Sequence, residues 1–512
     1  MARYKEYSYA QSKLIPIHFD SQILPGTFEY TLSYLVDNEM DLSIFENRYN
    51  NDETGAPAYD PAILLKIVLF AYSRGIVSSR KIARCCEENI IFMALSADTR
   101  PHFTTIAEFI SSMGDEVIYL FRDVLLICDE AGLIGKEMFS IDGCKLPSNA
   151  SKEWSGTKAE FKKKKQKMER AIRRILKKHQ ELDRSDHVSE VIDRDKEYIS
   201  TLRKHIRKLN RWMEDNDDKP GKSGFRKSNT TDNDSAKMKS SHGVIQGYDG
   251  VATVDTKHQV VVAGEAFGQP QEHDLLEPMI KETRENFKSI KSDDDVFRNA
   301  KLTADAGFHT EANMKMLADE KIDGYVADIL FRKRDPRFID AERYKERERK
   351  KKKAKAGLFK VSDFKFDEEF RYCICPAGCR MYRNGGNAMV RGSHAIKFQG
   401  RKTDCRACHL RSQCLMHPDR TEVRQVYYFT GRTDKGKESY TQMMKVKLDT
   451  DQGRMIYSKR IGTVEPVFAN LRNALGLDRF TLRGKKKVNI QWKLYCMVHN
   501  LLKIHRYGEG FA

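Results

Sequence analysis

Apolar residues recur at intervals of three and four between positions 19 and 112, which is the spacing of amphipathic helices. One apolar face is formed by Phe28, Leu32, Leu35 and Val36. A second follows Pro61, a residue favoured in the first helical turn, and consists of Ile63, Leu64, Ile67, Val68 and Phe70. With a further helix near 117–129, the pattern predicts a helical N-terminal domain over residues 1–130.

A short basic turn interrupts these helices at Ser78-Ser79-Arg80-Lys81, and it gives the domain a helix-turn-helix-like pattern. One interpretation is that Arg80, Lys81 and Arg84 dock on DNA. The other is a plain helical domain with a solvated basic edge, because helical bundles carry many functions. The residues alone leave both interpretations open.

Strand-like segments begin at 138–147, where an apolar run ends in Asp142 and a turn. Alternating segments at 243–255 and 259–267 predict a β-hairpin, and 302–305 and 323–328 predict two more short strands. Helices are expected at 274–287 and from about Thr310, a suitable N-cap, to 320. This alternation predicts a layered α/β sheet built from residues 136–157 and 240–330.

Two insertions and a C-terminal segment complete the predicted organisation. Residues 158–239 contain a charged stretch whose apolar positions Ile199, Leu202, Ile206, Leu209 and Met213 follow heptad spacing, which predicts an antiparallel helical hairpin. The polar stretch 215–239 is expected to be a linker. Residues 331–450 form a basic, cysteine-bearing insertion. Helices at 457–475 and 490–504 lie in a segment, 451–512, expected to complete the core.

The charge balance narrows the class of partner. The 512 residues carry a formal net charge of +18, which points to nucleic acid. No run of about 18 apolar residues occurs, so no membrane partner is expected. The first residues lack the apolar core of a signal peptide, and the eleven cysteines are interpreted as thiols or metal ligands. These features favour a cytoplasmic protein.

Three acidic residues could support phosphoryl chemistry, which requires hard oxygen ligands for a divalent cation. Asp142 and Asp305 each end a predicted strand. Glu465 lies on a predicted helix whose apolar stripe is formed by Val464, Phe468 and Leu471. The alternative interpretation is that Asp142 and Asp305 are ordinary turn aspartates and that Glu465 lies on an ordinary surface helix.

The sequence resembles the DDE transposases of bacterial insertion sequences. The resemblance rests on Phe139-Ser-Ile-Asp-Gly-Cys-Lys145, Leu302-Thr-Ala-Asp-Ala-Gly-Phe308 and Val464-Glu-Pro-Val-Phe468. It extends to 476–484, to His499-Asn-Leu-Leu-Lys503, and to the helical domain over 19–112 with Pro101-His-Phe-Thr-Thr-Ile-Ala-Glu-Phe109 near its end. Similarity therefore runs over nearly the whole chain.

The resemblance implies an RNase H-like core in which Asp142, Asp305 and Glu465 bind two Mg²⁺ or Mn²⁺ ions. It implies metal-dependent cleavage of double-stranded DNA at the terminal inverted repeats of the protein's own element, followed by strand transfer into target DNA. No covalent protein–DNA intermediate is implied. A homo-oligomeric synaptic complex associated with the bacterial nucleoid is expected.

The family's Tyr-Arg-Glu-Lys signature corresponds here to Tyr457, Arg460, Glu465 and Arg472. This sequence has one more residue between Arg460 and Glu465 and an arginine at the last position. A catalytic role for Glu465 is compatible with both changes. The hairpin-forming route of some relatives is left open.

The cysteine-bearing insertion contains Cys-x-x-Cys spacing that suits tetrahedral Zn²⁺. Cys373, Cys375, Cys379, Cys405, Cys408 and Cys414 lie within about forty residues. The resemblance includes a Cys-Pro-x-Gly element and a later Cys-x-x-Cys-x₅-Cys element, which selects Cys375, Cys405, Cys408 and Cys414 for a structural Zn²⁺. Free structural thiols are the alternative.

Two other functions remain as rivals to a transposase. The first is a metal-dependent nuclease of the same fold that cleaves but does not join, and the second is a DNA-binding regulator with a decayed active site. Nucleotide chemistry is disfavoured because position 216 is Asn where a P-loop needs its first glycine. Zincin, serine-hydrolase and dinucleotide-binding motifs are absent from the sequence.

Overall fold

The computed structural model describes residues 16–49, 57–182, 189–221, 224–240, 243–290, 295–338, 358–385, 388–390, 393–431 and 439–509. The chain forms two compact units. The larger comprises Met1–Ala327 and Met455–Ala512, and the smaller comprises Asp328–Arg454.

The N-terminal part of the larger unit is helical, as the apolar spacing predicted. Its helices are α1 (Phe28–Asn38), α2 (Pro61–Ser73), α3 (Ser79–Glu88), α4 (Ile90–Leu95), α5 (Phe103–Ser112) and α6 (Glu116–Glu130). Thr27 caps α1 by accepting from the Tyr30 N–H, and Asp60 caps α2 by accepting from the Ala62 N–H. The predicted apolar faces are buried, with Leu32, Leu35, Ile67 and Val68 at most 1% exposed.

A mixed sheet forms the centre of the larger unit, which confirms the predicted α/β class. Its strands are β1 (Met138–Pro147), β6 (Ala236–Ser240), β7 (Gly243–Asp255), β8 (Val261–Phe267), β9 (Lys301–Ala304) and β10 (Asp323–Val326). The order is β10-β9-β1-β7-β6, and β8 also pairs with β7. Strands β10, β9 and β1 are parallel, whereas β7 is antiparallel to β1, β6 and β8. Helices α9 (Leu276–Ser289) and α10 (Glu311–Asp319) connect its later strands, and Thr310 caps α10 as expected.

The charged insertion forms the predicted antiparallel hairpin of two long helices, α7 (Lys158–Leu182) and α8 (Ser189–Asp215). Three of its five heptad positions are buried: Ile199 and Leu202 pack with Ile172 of α7, and Leu209 packs with Phe161 of α7. The other two, Ile206 and Met213, are partly buried. The predicted break at 183–187 lies outside the described residues.

The stretch 215–239, predicted as a linker, is instead largely built into the structure. It contains β3 (Lys219–Gly221), β4 (Gly224–Arg226), β5 (Ser228–Asn229) and β6, and β5 pairs with β2 (Ser155–Gly156). Asn229 is fully buried, and its side chain donates to Ser151 O at 2.8 Å and to Ser155 Oγ at 2.9 Å. Long-range bonds from polar side chains thus order a segment whose composition is that of a loop.

Two helices complete the larger unit. Helix α15 (Asp451–Ala469) runs into a π-helical turn at Asn470–Ala474, and α16 (Lys485–Tyr507) follows. Helix α16 packs on β8, where the Asn500 side chain bonds both the N–H and the C=O of Val261 at 2.8 Å. Asn489 accepts from the Ala266 N–H at 2.6 Å. The outer edge of β8 is therefore covered by amide side chains that replace a missing neighbouring strand.

A polar cluster joins the two C-terminal helices to the turn between β7 and β8. Pro466 lies inside α15 and has no N–H, so the carbonyl of Gly462 lacks its helical donor. Gln259 supplies a donor instead, from Nε2 to Gly462 O at 3.0 Å. Lys503 of α16 donates to Gln259 Oε1, and the buried His499 donates from Nε2 to Gln259 O.

The smaller unit contains an antiparallel sheet and short helices. Its strands are β11 (Lys365–Phe366), β12 (Tyr372–Ile374), β13 (Arg380–Arg383), β14 (Ala388–Val390), β15 (Ser393–Gln399) and β16 (Gln425–Gly431), in the order β11-β12-β13-β15-β14 with β16 beside β15. Its helices are α11 (Phe331–Arg334), α12 (Lys402–Arg406), α13 (Arg411–Cys414) and α14 (Tyr440–Asp449). Phe364, Cys373, Met381 and Phe398 form its core. The basic run at 345–353 lies outside the described residues.

Within the described residues, no helix combines the length and the apolar character that a membrane span requires.

The buried His499 predicts a pH-dependent stability. Burial lowers its pKa to about 4, and Asn470 donates to Nδ1 while Nε2 donates to Gln259, so the neutral ring fits both partners. A depressed folded-state pKa stabilises the protein fully above the unfolded value of about 6.5 and less as the pH falls toward 4. We expect this contribution to amount to about 3 kcal/mol. Urea unfolding between pH 4 and 7 should show a shallower loss for His499→Gln than for wild type, and parallel curves would contradict the assignment.

Candidate active site

Asp142 lies in the middle of β1, not at its end as the sequence suggested. Strand β1 pairs with β7 from Phe139 to Pro147, but it pairs with β9 only through Met138–Ile141. Asp142 is therefore the first residue of β1 beyond the end of β9. Its Oδ1 accepts from the Gly143 N–H at 2.8 Å, and its side chain is 15% exposed.

Asp305 follows directly on β9, as predicted. Ala304, the last residue of β9, is in register with Ile141, so the next residues along the two parallel strands are Asp305 and Asp142. Neighbouring strands lie about 4.8 Å apart, which brings the two carboxylates to one edge of the sheet. The Asp305 side chain is more open, at 42% exposed.

Arg460 of α15 lies between the two aspartates. Its Nη1 is 2.7 Å from Asp142 Oδ2, and its Nη2 is 3.5 Å from Asp305 Oδ1. The guanidinium is 7% exposed, and it lies 5.7 Å from the centre of the Tyr457 ring. Two residues of the signature, Tyr457 and Arg460, thus lie beside the two aspartates Asp142 and Asp305.

The electrostatics of this cluster show opposed effects on Asp142. Burial raises its pKa to about 6, the Arg460 guanidinium acts in the opposite direction, and the like charge of Asp305 adds to the rise. Burial also works against the charge of Arg460, but Asp142, Tyr457 and Asp305 together outweigh it, and the pKa of Arg460 is raised. Burial raises the pKa of Tyr457. Arg460 therefore remains charged, and it favours the ionised form of Asp142.

Arg472 lies in the π-helical turn that follows α15, a type of irregularity often found at functional sites. It lies beside Cys144, two residues beyond Asp142 on β1, and it lowers the pKa of that thiol while burial raises it to about 11. Its Nε is buried and has no hydrogen-bond partner among the described residues. Arg472 is thus a second cation beside β1.

Glu465 stays less closely tied to the cluster than the other predicted residues. It is exposed on α15, five residues beyond Arg460, which corresponds to about 7.5 Å along a helix. In the described part of the chain no hydrogen bond or ion pair joins it to Arg460, which contacts both aspartates. Its assignment as the third acid remains a prediction.

Two acids that the sequence did not single out lie beside the predicted pair. Asp249 on β7 is fully buried opposite Lys145. Burial and the neighbouring Glu272 raise its pKa well above the usual range, whereas Lys145 acts in the opposite direction. Lys145 donates to Glu272 Oε1 at 2.9 Å. An aspartate within a buried strand is rare unless it is paired, and that was the available signal.

These acids explain two glycines of the strand-end motifs. A Cβ on Gly143 would lie 2.8 Å from Asp249 Oδ1, and a Cβ on Gly307 would collide with Glu272 Oε2. The glycines after Asp142 and Asp305 therefore make room for a second layer of carboxylates. Five ionisable side chains meet at this edge in addition to Arg460: Asp142, Lys145, Asp249, Glu272 and Asp305.

The chemistry of the donors fits a hard divalent cation, because carboxylate oxygens are the ligands that Mg²⁺ takes in proteins. Asp142 and Asp305 supply two of them at one sheet edge. As the side chains stand, the described residues contain no group of three His, Cys, Asp or Glu arranged to hold a metal ion.

The predicted cysteine ligands lie together in the smaller unit. Cys375, Cys405, Cys408 and Cys414 line one cavity with Cys379, which the sequence analysis did not select. Cys373 instead belongs to the apolar core, and burial raises its pKa to about 11. All six are free thiols.

The predicted DNA-docking residues lie on α3, which is exposed along its basic side. Arg80 lies over the Phe103 ring at 4.5 Å, and Arg84 Nε is 2.8 Å from Glu88 Oε1. Lys81 is exposed. Two of the three cations thus already have partners within the domain, and a DNA contact remains a prediction.

Comparison with protein families gives two matches. Residues 374–505 match a family model described as Transposase DDE domain, and residues 17–112 match one described as Transposase domain (DUF772). The first match includes Arg460, Glu465 and the four predicted cysteine ligands. No curated protein matches the chain.

The buried ion pair predicts strong energetic coupling. Arg460→Gln should lower the free energy of unfolding by about 3 kcal/mol or more, because it leaves the Asp142 carboxylate buried without a charged partner. The exposed neighbour Lys459→Gln is the matched control and should have little effect. In a double-mutant cycle by urea unfolding, Arg460→Gln combined with Asp142→Asn should lose clearly less than the sum of the single variants. Additive losses would show that the pair does not interact.

Proposed function

We propose that this chain is a DDE transposase, as its match to a transposase DDE domain and to a second transposase domain supports. It would use Asp142, Asp305 and Glu465 to cut DNA at the ends of its own element and to join the freed 3′-OH to target DNA. The observation that carries the assignment of residues is the meeting of Asp142 and Asp305 at adjacent strand positions, bridged by Arg460. An RNase H-like core is the fold consistent with this arrangement.

The metal requirement follows from the donors. Asp142 and Asp305 would hold a divalent ion, with Glu465 completing the set, and two Mg²⁺ or Mn²⁺ ions would activate the attacking oxygen and stabilise the leaving one. Asp142 must be ionised to bind, and the adjoining Arg460 guanidinium favours that form. Arg460 thus keeps the acidic edge ready for a cation while it balances the repulsion between the two carboxylates.

Side chains around the acids would then hold the DNA. Arg472, whose positive charge lies beside Cys144 on β1, is suited to a phosphate oxygen. Tyr457 packs against Arg460 and fixes its position. On this proposal Arg460 and Tyr457 are positioning residues, and the carboxylates are the catalytic ones.

The expected partners are double-stranded transposon ends and target DNA, bound by a homo-oligomer in a synaptic complex. The net charge of +18 supports binding to nucleic acid, which would hold the protein at the bacterial nucleoid. Arg80, Lys81 and Arg84 on α3 are the N-terminal candidates for that contact.

The rival functions make different predictions about joining and binding. A nuclease of this fold would cut the ends but would not join a pre-cut 3′-OH end to plasmid DNA. A decayed regulator would bind the flanks without cutting. The three candidate acids of this chain argue against decay.

Replacing the three acids should abolish excision. From a plasmid carrying the gene between its native flanks, Asp142→Asn, Asp305→Asn and Glu465→Gln should each lower excision in Mg²⁺ at least about a hundredfold, since even outer-shell changes at metal sites cost 10- to 100-fold. The exposed Asp478→Asn is the control and should excise normally. Unimpaired excision by Glu465→Gln would remove that residue from the proposed site, and an inert wild type that still binds flank DNA would favour the regulator.

We further propose that Cys375, Cys405, Cys408 and Cys414 hold a structural Zn²⁺. The supporting observation is that these free thiols line one cavity, since thiolates in Cys-x-x-Cys spacing are typical Zn²⁺ ligands. Cys379 lines the same cavity and could replace one of them. The ion would stabilise the smaller unit and take no part in the reaction at the sheet edge.

Metal analysis of the purified full-length protein tests this site. Wild type should carry about one Zn²⁺ per chain, and Cys405→Ser combined with Cys408→Ser should lose it, because two ligands cannot complete a tetrahedral site. Cys85→Ser, a half-buried thiol of α3, should retain the metal. Wild-type protein without stoichiometric zinc would show that the cysteines are ordinary thiols.

A further inference from the structure

A concentration of positive charge lies in the larger unit, apart from the site formed by Asp142 and Asp305. The segment after β1, the helix α8 and the loop before α16 together form an open pocket of about 490 Å³. It is lined by Asn149, Ala150, Ser151, Lys208, Thr231, Arg479 and Arg483. Three of these seven side chains are cationic, and none is acidic.

Neutral oxygens hold each of the three cations in place. Lys208 Nζ donates to Thr231 Oγ1 at 2.6 Å, Arg479 Nη2 donates to Ser148 O at 3.3 Å, and Arg483 Nε donates to Asn149 O at 2.9 Å. Within the described residues no carboxylate lies within ion-pair distance of any of them. The terminal nitrogens of Arg483 have no acceptor in that part of the chain.

The carboxylates of the adjoining segment are already engaged elsewhere. Asp232 accepts from Tyr248 Oη at 2.6 Å and from the Gly484 N–H at 3.2 Å. Asp234 accepts from the Lys485 N–H at 2.9 Å. These acids accept from the N-terminus of α16, and in the described part of the chain neither forms an ion pair with Lys208, Arg479 or Arg483.

The cations repel one another as they stand. Burial lowers the pKa of Lys208, and the nearby charge of Arg483 lowers it further. Lys208 also lies 5.7 Å from the centre of the Trp154 ring, which Lys164 approaches to 3.9 Å. A bound anion reduces the repulsion between like charges that are held together at a concave surface. Arginine and lysine are the side chains that bind phosphate.

We propose that Lys208, Arg479 and Arg483 form a binding site for backbone phosphates of double-stranded DNA. This inference rests on the proposed function, because it identifies where the transposon end is held beyond the reacting bond. The hairpin helix α8 would contribute Lys208 and thereby take part in DNA binding, which gives the charged insertion a function.

The chain itself limits the distance between this pocket and the acids. Strand β1 carries Asp142 and leads directly to Asn149, seven residues later. An extended chain covers at most about 3.6 Å per residue, so the two positions are no more than roughly 25 Å apart. With base pairs about 3.4 Å apart along the duplex, that span corresponds to roughly seven base pairs. The pocket would thus bind phosphates within one helical turn of the cleaved bond.

The test measures the salt dependence of DNA binding. Full-length wild type and a Lys208→Gln, Arg479→Gln, Arg483→Gln triple variant are titrated, by fluorescence anisotropy, into labelled duplexes from each native flank between 50 and 200 mM salt. Each lost phosphate contact should reduce the slope of log K against log[salt] by about 0.9, so we expect a reduction of about 2.7. An unchanged slope would overturn the proposal.

A matched variant on the same insertion supplies the control. Lys204→Gln, Arg207→Gln and Arg211→Gln remove three exposed charges from α8 outside the pocket and should reduce the slope by less than 1. An equal reduction would show that the pocket has no special role. The charge-preserving Lys208→Arg should bind like wild type, and thermal unfolding of each variant excludes loss of the fold as the cause.

The pocket and the proposed function can fail separately. If the triple variant binds DNA like wild type while wild type excises its element, the proposed phosphate site is wrong and the proposed function is retained. If the triple variant reduces the salt-dependence slope but wild type neither cuts nor joins DNA, the phosphate site is supported and the proposed transposase function is wrong. The Asp305→Asn variant should bind with the full wild-type slope without cutting.

Discussion

Repulsion between two carboxylates on neighbouring strands is the constraint on which this architecture depends. Asp142 and Asp305 occupy adjacent positions at the edge where β9 ends, and burial makes their mutual repulsion more costly than it would be in water. Arg460 balances it, so α15 must be held at a fixed place against the sheet. Pro466 has no N–H, so Gln259 donates to the free carbonyl of α15 in its place. Through Gln259, α15 is bonded to the β7–β8 turn and to α16. The polar cluster at the ends of these helices therefore supports the acidic edge.

Local pattern was sufficient to predict most elements of the fold. The apolar runs around Asp142 and Asp305 predicted both strands, and heptad spacing predicted the hairpin of α7 and α8, because each signal lies within one segment. The continuation of β1 past Asp142 could not be predicted, since it depends on pairing with β7, about a hundred residues later. Asn229 orders its segment through bonds to residues some 75 positions away, which local composition does not reveal.

Only part of the candidate site could be predicted, because local motifs identify some of its residues and long-range packing brings in the others. Motifs identified Asp142, Asp305 and Arg460, and the structure brings these three together. They did not identify Asp249 or Glu272, whose importance arises from the space left by Gly143 and Gly307. Cys379 was passed over in favour of its neighbours, although it lines the same cavity. Side chains that are far apart in the sequence come together only when the chain folds. Sequence spacing predicts such a contact only where a known motif includes the residues that make it.

The covered edge of β8 has a consequence for how the protein is made. Asn489 and Asn500, which satisfy that edge, are translated more than 220 residues after the strand itself. At about 5–20 residues per second, the unpaired strand emerges from the ribosome at least roughly 10 to 45 seconds before its cover. During that interval the nascent sheet exposes a hydrogen-bonding edge of the kind that promotes aggregation. Because the covering helix is made last, this edge is open to pairing with other chains for most of the synthesis of the C-terminal half.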